Sequence, residues 1–284
     1  MYIRLVLLIA SFLSCAAYAT PGIIGKDNRI RIRKNSTTYK EVGKSAGLLK
    51  VSFSRQSYSG YSACSGTLIS QNLVLTAAHC VLNHGKEAVK ARFYLGRTKK
   101  RRWYTRIFVD ESKYAYEIDQ VWIKEGYRDY NPLTNQAISR DLAIVRLNRN
   151  ADERFSWLPI AVTPQYSGDR NITTLGYKDE TILLASIGCK TFHVVKNILG
   201  SLCDIRPGQS GGPVIFSDSD KGNYYSYYPV DERQGQYISG VISGIAKKRN
   251  LFSAIDQASF EGISQFIKDK GEGSYIQGFE QLWP

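Results

Sequence analysis

Short apolar stretches separated by turn residues run through the middle of the chain. Each stretch is rich in β-branched or aromatic residues and is bounded by Gly, Asn, Asp or Pro, a spacing typical of antiparallel barrels and sandwiches. The pattern predicts strands at residues 48–53, 67–75, 91–95, 119–123, 142–147, 181–187 and 237–245. No segment repeats at the period of a solenoid or propeller. We therefore expect an all-β fold.

Helical periodicity appears only near the end of the chain. Phe260, Ile263, Phe266 and Ile267 recur at helical spacing, and Asp256 stands before them as a candidate N-cap. We expect one helix in this region.

The first residues predict export from the cytoplasm. Arg4 precedes an apolar run at residues 5–13 and the small-x-small pattern Ala17-Tyr18-Ala19, so residues 1–19 are interpreted as a secretory signal peptide. The run is shorter than the roughly 20 residues that a bilayer requires, and no later segment is long enough to span one. Cleavage before Cys15, as in a lipoprotein, is an alternative with a poor motif match. We expect a secreted, soluble protein, extracellular or periplasmic in a Gram-negative source.

Composition places the chain among globular proteins. It has 284 residues, of which 43% are hydrophobic, and 38 Lys and Arg against 25 Asp and Glu give a net charge of +13. This excludes a disordered chain and a small disulfide-stapled scaffold, and the length suggests about two domains.

Four cysteines remain after the predicted signal, Cys64, Cys80, Cys189 and Cys203. An even number in an exported protein predicts two disulfides, with three possible connectivities. The two sequence-local pairs would each close a short loop and stabilise the fold by about 3 kcal/mol. A metal site is not expected, because no C-x-x-C occurs and the three histidines are not spaced as ligands. No cofactor is expected either.

Three short motifs contain the residues of a catalytic triad. In chain order they are Thr76-Ala77-Ala78-His79-Cys80, Arg140-Asp141-Leu142 and Pro207-Gly208-Gln209-Ser210-Gly211-Gly212-Pro213. A serine hydroxyl needs an imidazole to take its proton, and the imidazole needs a carboxylate to hold its tautomer. The glycines allow the N–H groups of Gly208 and Ser210 to converge on an oxyanion.

The order of these residues selects one architecture. An α/β-hydrolase needs a histidine after its serine, and none follows Ser210; the subtilisin order needs an aspartate before His79, where only Asp27 exists. The order His, Asp, Ser is that of the chymotrypsin-like double barrel.

The segment Cys64-Ser65-Gly66-Thr67-Leu68-Ile69, followed by the motifs around His79, Asp141 and Ser210, resembles the trypsin-like serine endopeptidases. The start Ile23-Ile24-Gly25-Lys26-Asp27-Asn28-Arg29 is similar to the secreted bacterial V8-like or glutamyl-endopeptidase-like branch. The resemblance implies two perpendicular six-stranded antiparallel β-barrels with a C-terminal helix. It implies an N-terminal barrel at 20–150 with His79 and Asp141, a C-terminal barrel at 151–250 with Ser210, and a helix and tail at 251–284.

The resemblance also assigns supporting residues. Ser243, in the segment Gly240-Val241-Ile242-Ser243-Gly244, resembles the family serine that lines the substrate strand and reaches toward the triad carboxylate. A disulfide between Cys64 and Cys80 would hold the loop that carries His79. His84 and His193 are expected to be structural or exposed.

One departure concerns activation. Trypsin relatives have an Asp immediately before the nucleophile, where it binds the new N-terminus, but this chain has Gln209. Activation by that ion pair is not available. Loss of a short propeptide at residues 20–22 remains possible.

The expected substrate pocket includes Asp204, Ile242, Ser243 and Gly244. Asp204 lies six residues before Ser210, the spacing of the pocket acid in trypsin, and this slightly favours Arg or Lys before the scissile bond. Arg206 could neutralise that acid, which leaves a neutral or apolar residue as the second option. Glu ranks last, because Ile242 stands where Glu-specific relatives have a histidine.

The alternative function is a basic binding protein on a protease scaffold. Residues 86–106 contain nine Lys or Arg and one acid, among them Lys99, Lys100, Arg101 and Arg102, which would contact polyanions or acidic surfaces. No base-stacking motif accompanies them, so specific nucleic-acid binding is not expected. A second insertion at 223–237 is rich in tyrosine. All three triad residues are present, and the sequence therefore favours a serine endopeptidase acting on proteins or peptides.

Overall fold

The computed structural model describes residues 22–53, 61–83, 85–97, 99–101, 108–110, 114–128, 134–163, 170–178, 180, 182–217, 235–246 and 249–283. The predicted signal at 1–19, His84, Arg102 and residues 223–234 of the tyrosine-rich insertion lie outside these ranges.

The elements follow one another in this order. The strands are β1 (Ile30–Arg31), β2 (Ala46–Ser52), β3 (Tyr61–Leu68), β4 (Leu73–Thr76), β5 (Leu82–Asn83), β6 (Lys86–Glu87), β7 (Lys90–Leu95), β8 (Lys99–Arg101), β9 (Phe108–Asp110), β10 (Ala115–Lys124), β11 (Ala143–Leu147), β12 (Arg170–Lys178), β13 (Ile182–Val195), β14 (Ile198–Ser201), β15 (Pro213–Ser217), β16 (Gln236–Ala246), β17 (Arg249–Ala254) and β18 (Phe279–Trp283). The helices are α1 (Asn135–Ile138) and α2 (Gln257–Lys268), with a π-helical turn at Tyr39–Gly43 and a 3-10 turn at Ala78–Cys80.

Two closed barrels of six antiparallel strands form the protein. In the first, the strand order is β11-β4-β3-β2-β7-β10, and pairing of β10 with β11 closes the barrel. In the second, the order is β13-β12-β15-β16-β17-β14, closed by pairing of β13 with β14. Closure leaves no unpaired barrel edge. The predicted fold class is confirmed, together with its C-terminal helix.

Each chain end adds a strand to the barrel that is formed by the other half of the chain. The N-terminal β1 pairs with β13 of the second barrel, and the C-terminal β18 pairs with β10 of the first. The division expected at 20–150, 151–250 and 251–284 stays a prediction; β17 of the second barrel ends at Ala254. Edge strands of two and five residues have no sequence pattern that identifies a distant partner.

One predicted strand is two strands in the structure. The stretch 67–75 divides into the end of β3 at Leu68 and the start of β4 at Leu73. Between them the Ser70 Oγ accepts a hydrogen bond from the Leu73 N–H and closes a tight turn. The polar residues Ser70, Gln71 and Asn72 in the middle of the stretch are the sequence signal of this turn.

Large side chains fill both barrels. Phe93 and Trp122 are fully buried in the first barrel, and Phe216 and Phe252 are buried in the second. Burial of a side chain of this size contributes roughly 1.5–3 kcal/mol.

Helix α2 is held against the first barrel. Its Phe266 packs edge-on against Trp122, with ring centroids 5.1 Å apart. The Asp256 carboxylate caps the helix by accepting from Ser259 N at 2.9 Å, as predicted. It also accepts from Lys124 Nζ at 2.6 Å and Asn197 Nδ2 at 2.8 Å, so one side chain joins the helix to both barrels.

We predict that Asp256→Ala lowers the free energy of unfolding by about 2 kcal/mol, because it removes a cap and leaves Lys124 half-buried without its anion. Burial alone would raise the pKa of Asp256. Its hydrogen bonds with Lys124 and Ser259 lower the pKa by more than burial raises it, so the net shift is downward. This stabilisation is therefore complete above the ordinary carboxyl pKa and is lost as the pH falls through the lower folded value. Urea unfolding at several pH values measures it. Asp269→Ala, at the exposed end of α2, is the control, and equal losses in both variants would contradict the prediction.

Candidate active site

The register of the first barrel brings His79 and Asp141 together. Antiparallel pairing of β4 with β11 sets Thr76 opposite Ala143. The residues just before β11 therefore lie beside the residues just after β4. Asp141 is two residues before Ala143, and His79 is three residues after Thr76 in the 3-10 turn. Two positions 62 residues apart in sequence become neighbours for this reason.

The Asp141 carboxylate holds His79 at two points. One oxygen accepts from the His79 backbone N–H at 2.8 Å, and the other lies 2.7 Å from the ring Nδ1. Burial lowers the pKa of His79, but the charge and the hydrogen bond of Asp141 raise it, and the net shift is upward from 6.5. The ring is fixed with Nδ1 toward the carboxylate, which leaves Nε2 for a substrate or nucleophile proton.

Ser210 lies in a tight turn that precedes β15. The N–H of Gly211 donates to Ile242 O at 2.8 Å, and the N–H of Gly212 donates to Gln209 O at 3.0 Å. The Ser210 hydroxyl makes no hydrogen bond with His79 within the described residues. Such a contact is often long in a protein without substrate and shortens in the reacting complex.

Ser65 joins this turn to the first barrel. Its N–H donates to Ser210 O at 2.7 Å and its Oγ donates to Gly208 O at 2.8 Å. The same Oγ accepts from Tyr177 N at 2.8 Å, and Ser65 O accepts from Thr76 Oγ1 at 2.8 Å. The sequence motif Cys64-Ser65-Gly66 was noted only as part of the resemblance, and this connecting role was missed.

Two glycines allow this close approach. A β-carbon at Gly211 would lie 2.2 Å from Thr76 Oγ1 and 2.4 Å from Ser65 O, and Gly211 has a φ of +77°. A β-carbon at Gly212 would lie 2.0 Å from Leu175 O. Only glycine fits these positions, which explains the Gly-Gly pair after Ser210.

The N–H groups of Gly208 and Ser210 are available for an anion. Around them the N–H groups of Gln209, Gly211 and Gly212 all donate to protein carbonyls. Within the described part of the chain, the N–H groups of Gly208 and Ser210 have no acceptor. Gly208 has a φ of +93°, a conformation that glycine adopts without strain. Two free donors beside a serine are the arrangement that stabilises an oxyanion.

Strand β16 of the second barrel completes the cluster. Ser243 Oγ donates to Asp141 Oδ2 at 2.5 Å, so the carboxylate also accepts a bond from across the cleft. Ile242 is buried, and its N–H and C=O bond to Gly212 O and Gly211 N. Gly244 follows them and is partly exposed.

Asp204 does not face an open pocket. It has no exposed surface, and its two oxygens accept from Ile24 N at 2.7 Å and Asn28 N at 3.0 Å. The expectation that its carboxylate binds a basic substrate side chain stays a prediction, and both of its oxygens are already occupied by N–H groups of the N-terminal segment. The spacing between Asp204 and Ser210 could not show that N–H groups of the N-terminal segment bind both carboxylate oxygens.

Both sequence-local disulfides are present. Cys64 is bonded to Cys80, and Cys189 is bonded to Cys203. The first joins β3 to the turn that carries His79, as the resemblance implied. Cys64, Cys80 and His79 lie within 4.8 Å of one another, but the disulfide removes the two thiolates that a metal would need.

The basic segment forms a hairpin apart from the barrels. Lys99, Lys100 and Arg101 constitute β8, which pairs with β9. Nothing in the structure links them to a polyanion. His193 is exposed on β13. In the described part of the chain, no helix has the length and apolar character needed to cross a membrane.

Comparison with known proteins agrees with this geometry. A family model described as a trypsin-like peptidase domain matches residues 64–223, which include all three motifs. No curated protein sequence matches the chain significantly.

Solved structures share the fold at low sequence identity. A Glu endopeptidase in complex with MPD is 18% identical, with a TM-score of 0.61 over 88% of this chain and 100% of that one. HBP is 15% identical, with a TM-score of 0.55 over 89% and 99%. The protease Anisep from Arthrobacter nicotinovorans is 16% identical, with a TM-score of 0.51 over 76% and 90%.

We predict that Ser65→Ala lowers the free energy of unfolding by about 2 kcal/mol, because Gly208 O and Tyr177 N lose their buried partner. The turn that presents Gly208 N–H would loosen, and turnover of a peptide substrate should fall about tenfold. Thermal unfolding and steady-state kinetics measure the two effects. Ser62→Ala, at an exposed position of the same strand, is the control. Unchanged turnover in Ser65→Ala would show that Ser65 has no influence on the nucleophile turn.

Proposed function

Because the chain belongs to the trypsin-like peptidase domain family, we propose that it is a secreted serine endopeptidase that uses His79, Asp141 and Ser210 as its catalytic triad. Its substrates are proteins or peptides, cleaved through an acyl-enzyme. The family assignment makes it a peptidase, and the site geometry supports these particular residues.

The proposed reaction has two stages. The Ser210 Oγ attacks the scissile carbonyl while His79 Nε2 takes the hydroxyl proton, and the N–H groups of Gly208 and Ser210 bind the oxyanion. His79 then gives the proton to the leaving amine, and the acyl group remains on Ser210. A water molecule attacks the ester with His79 again as base. Asp141 holds the imidazole and stabilises its charged form throughout.

One observation carries the proposal. Only the two N–H groups that an oxyanion requires, those of Gly208 and Ser210, have no acceptor in a turn whose other described N–H groups are bonded. Both residues are partly exposed, so their N–H groups can reach a bound substrate. The same turn abuts the strand end that carries His79, because Gly211 approaches Thr76.

Secretion is supported by two features. Residues 1–19 have the pattern of a signal peptide, and the two disulfides require an oxidising compartment to persist.

We predict that Ser210→Ala lowers kcat by about 10⁴-fold or more, because the nucleophile is lost while binding and the oxyanion donors remain. A serine-directed phosphonate should label the parent protein and fail to label this variant. Kinetics on a peptide substrate and mass spectrometry of the labelled protein measure the two results. Ser274→Ala, at an exposed serine, is the control and should behave as the parent. Full activity in purified Ser210→Ala would exclude Ser210 as the nucleophile.

We propose a neutral or apolar preference for the substrate residue before the scissile bond. The argument for Arg or Lys depended on Asp204, whose carboxylate is occupied by Ile24 and Asn28. One structural neighbour is a Glu endopeptidase, but Ile242 is buried and uncharged at the position of the expected Glu-binding histidine.

We predict that Asp204→Asn does not change the ratio of kcat/KM values for peptides with Arg, Lys, Glu, Leu or Ala at that position. The variant should instead unfold more easily, by about 1–3 kcal/mol, because an amide offers only one acceptor oxygen to two N–H donors. Peptides that differ only at this residue provide the measurement, and Asp152→Asn is the control. A tenfold loss of kcat/KM that is confined to peptides with Arg or Lys would contradict the prediction and indicate that Asp204 binds the substrate side chain.

A further inference from the structure

Residues 22–29, called the N-terminal arm, are bound to the second barrel immediately before β1. The arm begins between two segments of that barrel, where Gly22 O accepts from Ile205 N and from Asn250 Nδ2, each at 2.9 Å. A β-carbon at Gly22 would lie 2.3 Å from Ile205 O and 3.2 Å from Ile245 Cδ1. The arm therefore packs tightly against the segment that leads to Ser210.

Asp204 binds the middle of the arm. Its two oxygens accept from Ile24 N and Asn28 N, and the residue is completely buried. The buried carboxylate has both oxygens satisfied by arm donors, so displacing the arm would leave an unpaired buried charge. Such a group is costly, and the arm is consequently an integral part of the folded domain.

Arg29 connects the arm to the nucleophile turn. Its side chain is only 2% exposed although it is charged. Nε and Nη2 donate to the two oxygens of Asp27 at 2.9 and 2.7 Å, and Nη1 donates to Gln209 Oε1 at 2.8 Å. The hydrogen bond of Arg29 lowers the pKa of Asp27 to about 2. Asp27 thus remains ionised and orients the guanidinium toward Gln209.

Gln209 is the residue between the two free oxyanion donors. Its Oε1 also accepts from Arg206 N at 2.9 Å, which closes the turn from Arg206 to Gln209. Both partners of this atom are obligate donors, so it must be the amide oxygen. Gln209 is fully buried, and a β-carbon at the neighbouring Gly176 would lie 2.7 Å from its Cβ. The side chain has little freedom to move while Arg29 holds it.

We propose that Arg29 is a positioning residue for catalysis: through Gln209 it holds the turn at Gly208 and Ser210 in the shape that presents the oxyanion N–H groups. The inference rests on the proposed function, since it concerns the same turn. Trypsin relatives hold this turn with an ion pair between an Asp and a newly cut N-terminus, and Gln209 lacks the charge for that pair. A side chain within the arm supplies the cation here.

The source of the cation has a chemical consequence. An α-amino group has a pKa near 8 and must be created by cleavage, whereas a guanidinium is always charged near neutral pH. The nucleophile turn is therefore organised without requiring a free amino group at a defined residue.

The test is steady-state kinetics of Arg29→Ala, Arg29→Lys and Gln209→Met on one peptide substrate. Removal of one oxyanion donor costs about 10²–10³ in kcat in other enzymes, and we expect Arg29→Ala to lower kcat about 10²-fold with KM within about threefold. Arg29→Lys should recover part of the loss, and added guanidinium ion should partly restore Arg29→Ala. Gln209→Met keeps the length and packing of the side chain but removes Oε1, and should show the same fall in kcat.

Arg31→Ala is the matched control, because Arg31 is an exposed arginine two residues further along the same segment. Near-ultraviolet circular dichroism and thermal unfolding test whether each variant is folded. If Arg29→Ala does not fold, Gln209→Met and Arg29→Lys decide the question. The double variant of Arg29→Ala and Gln209→Met should be no slower than Gln209→Met alone, since Gln209→Met already removes the contact with Arg29 together with the bond from Arg206 N.

A kcat of Arg29→Ala or Gln209→Met within about threefold of the parent would overturn the inference, as would an equal fall in Arg31→Ala or additive losses in the double variant. These outcomes differ from failure of the proposed function. If the parent itself shows no hydrolysis that depends on Ser210, the proposed function fails. If the parent hydrolyses peptides and reacts with the phosphonate while Arg29→Ala equals it, only the role of Arg29 fails.

Discussion

The contact of Ser65 with the nucleophile turn is the constraint on which the catalytic geometry depends. The larger cluster of buried apolar residues includes members of both barrels, among them Phe93 and Val241. Ser65 bonds to Gly208 O and Ser210 O in the second barrel while its own carbonyl accepts from Thr76 in the first. A displacement of one barrel relative to the other would break these hydrogen bonds of Ser65 at the same time. Gly211 matters for the same reason, since a side chain there would collide with Thr76 Oγ1 and Ser65 O of the first barrel.

Two buried aspartates and one partly buried aspartate join distant parts of a strongly basic chain. Asp141 binds His79 and Ser243, Asp204 binds the N-terminal arm, and Asp256 binds Lys124, Asn197 and the first turn of α2. Each carboxylate accepts two or more hydrogen bonds from residues remote in sequence. A buried carboxylate is tolerated only when it is bonded in this way. The net charge of +13 therefore says little about the interior, where a few acids hold the tertiary arrangement.

The exchange of terminal strands connects both chain ends to the catalytic architecture. Strand β18 extends the first barrel next to β10, and β1 extends the second next to β13. The arm that precedes β1 reaches Asp204 and Gln209, within six residues of Ser210. An N-terminal segment that the sequence presents as a short lead-in is consequently part of the support of the nucleophile turn.

The sequence by itself determined the features that depend on local pattern or chain order. The alternation of apolar stretches and turns predicted an all-β fold of barrels or sandwiches. The spacing of Phe260, Ile263 and Phe266 predicted α2 with its Asp256 cap, and the order of His79, Asp141 and Ser210 selected the double-barrel architecture. The predictions of strands and of the capped helix are correct because side-chain periodicity and capping are local properties of the sequence. The sequence also predicted two disulfides but left three connectivities open, and the structure shows the two sequence-local pairs.

Only the tertiary structure decided which side chains meet across the cleft. Spacing placed Asp204 six residues before Ser210 but could not show that Ile24 and Asn28 take both of its oxygens. The roles of Ser65 and Arg29 were likewise hidden, because their partners lie more than 110 residues away in several cases. Such contacts are set by strand register and by the exchange of terminal strands, and no local periodicity encodes them.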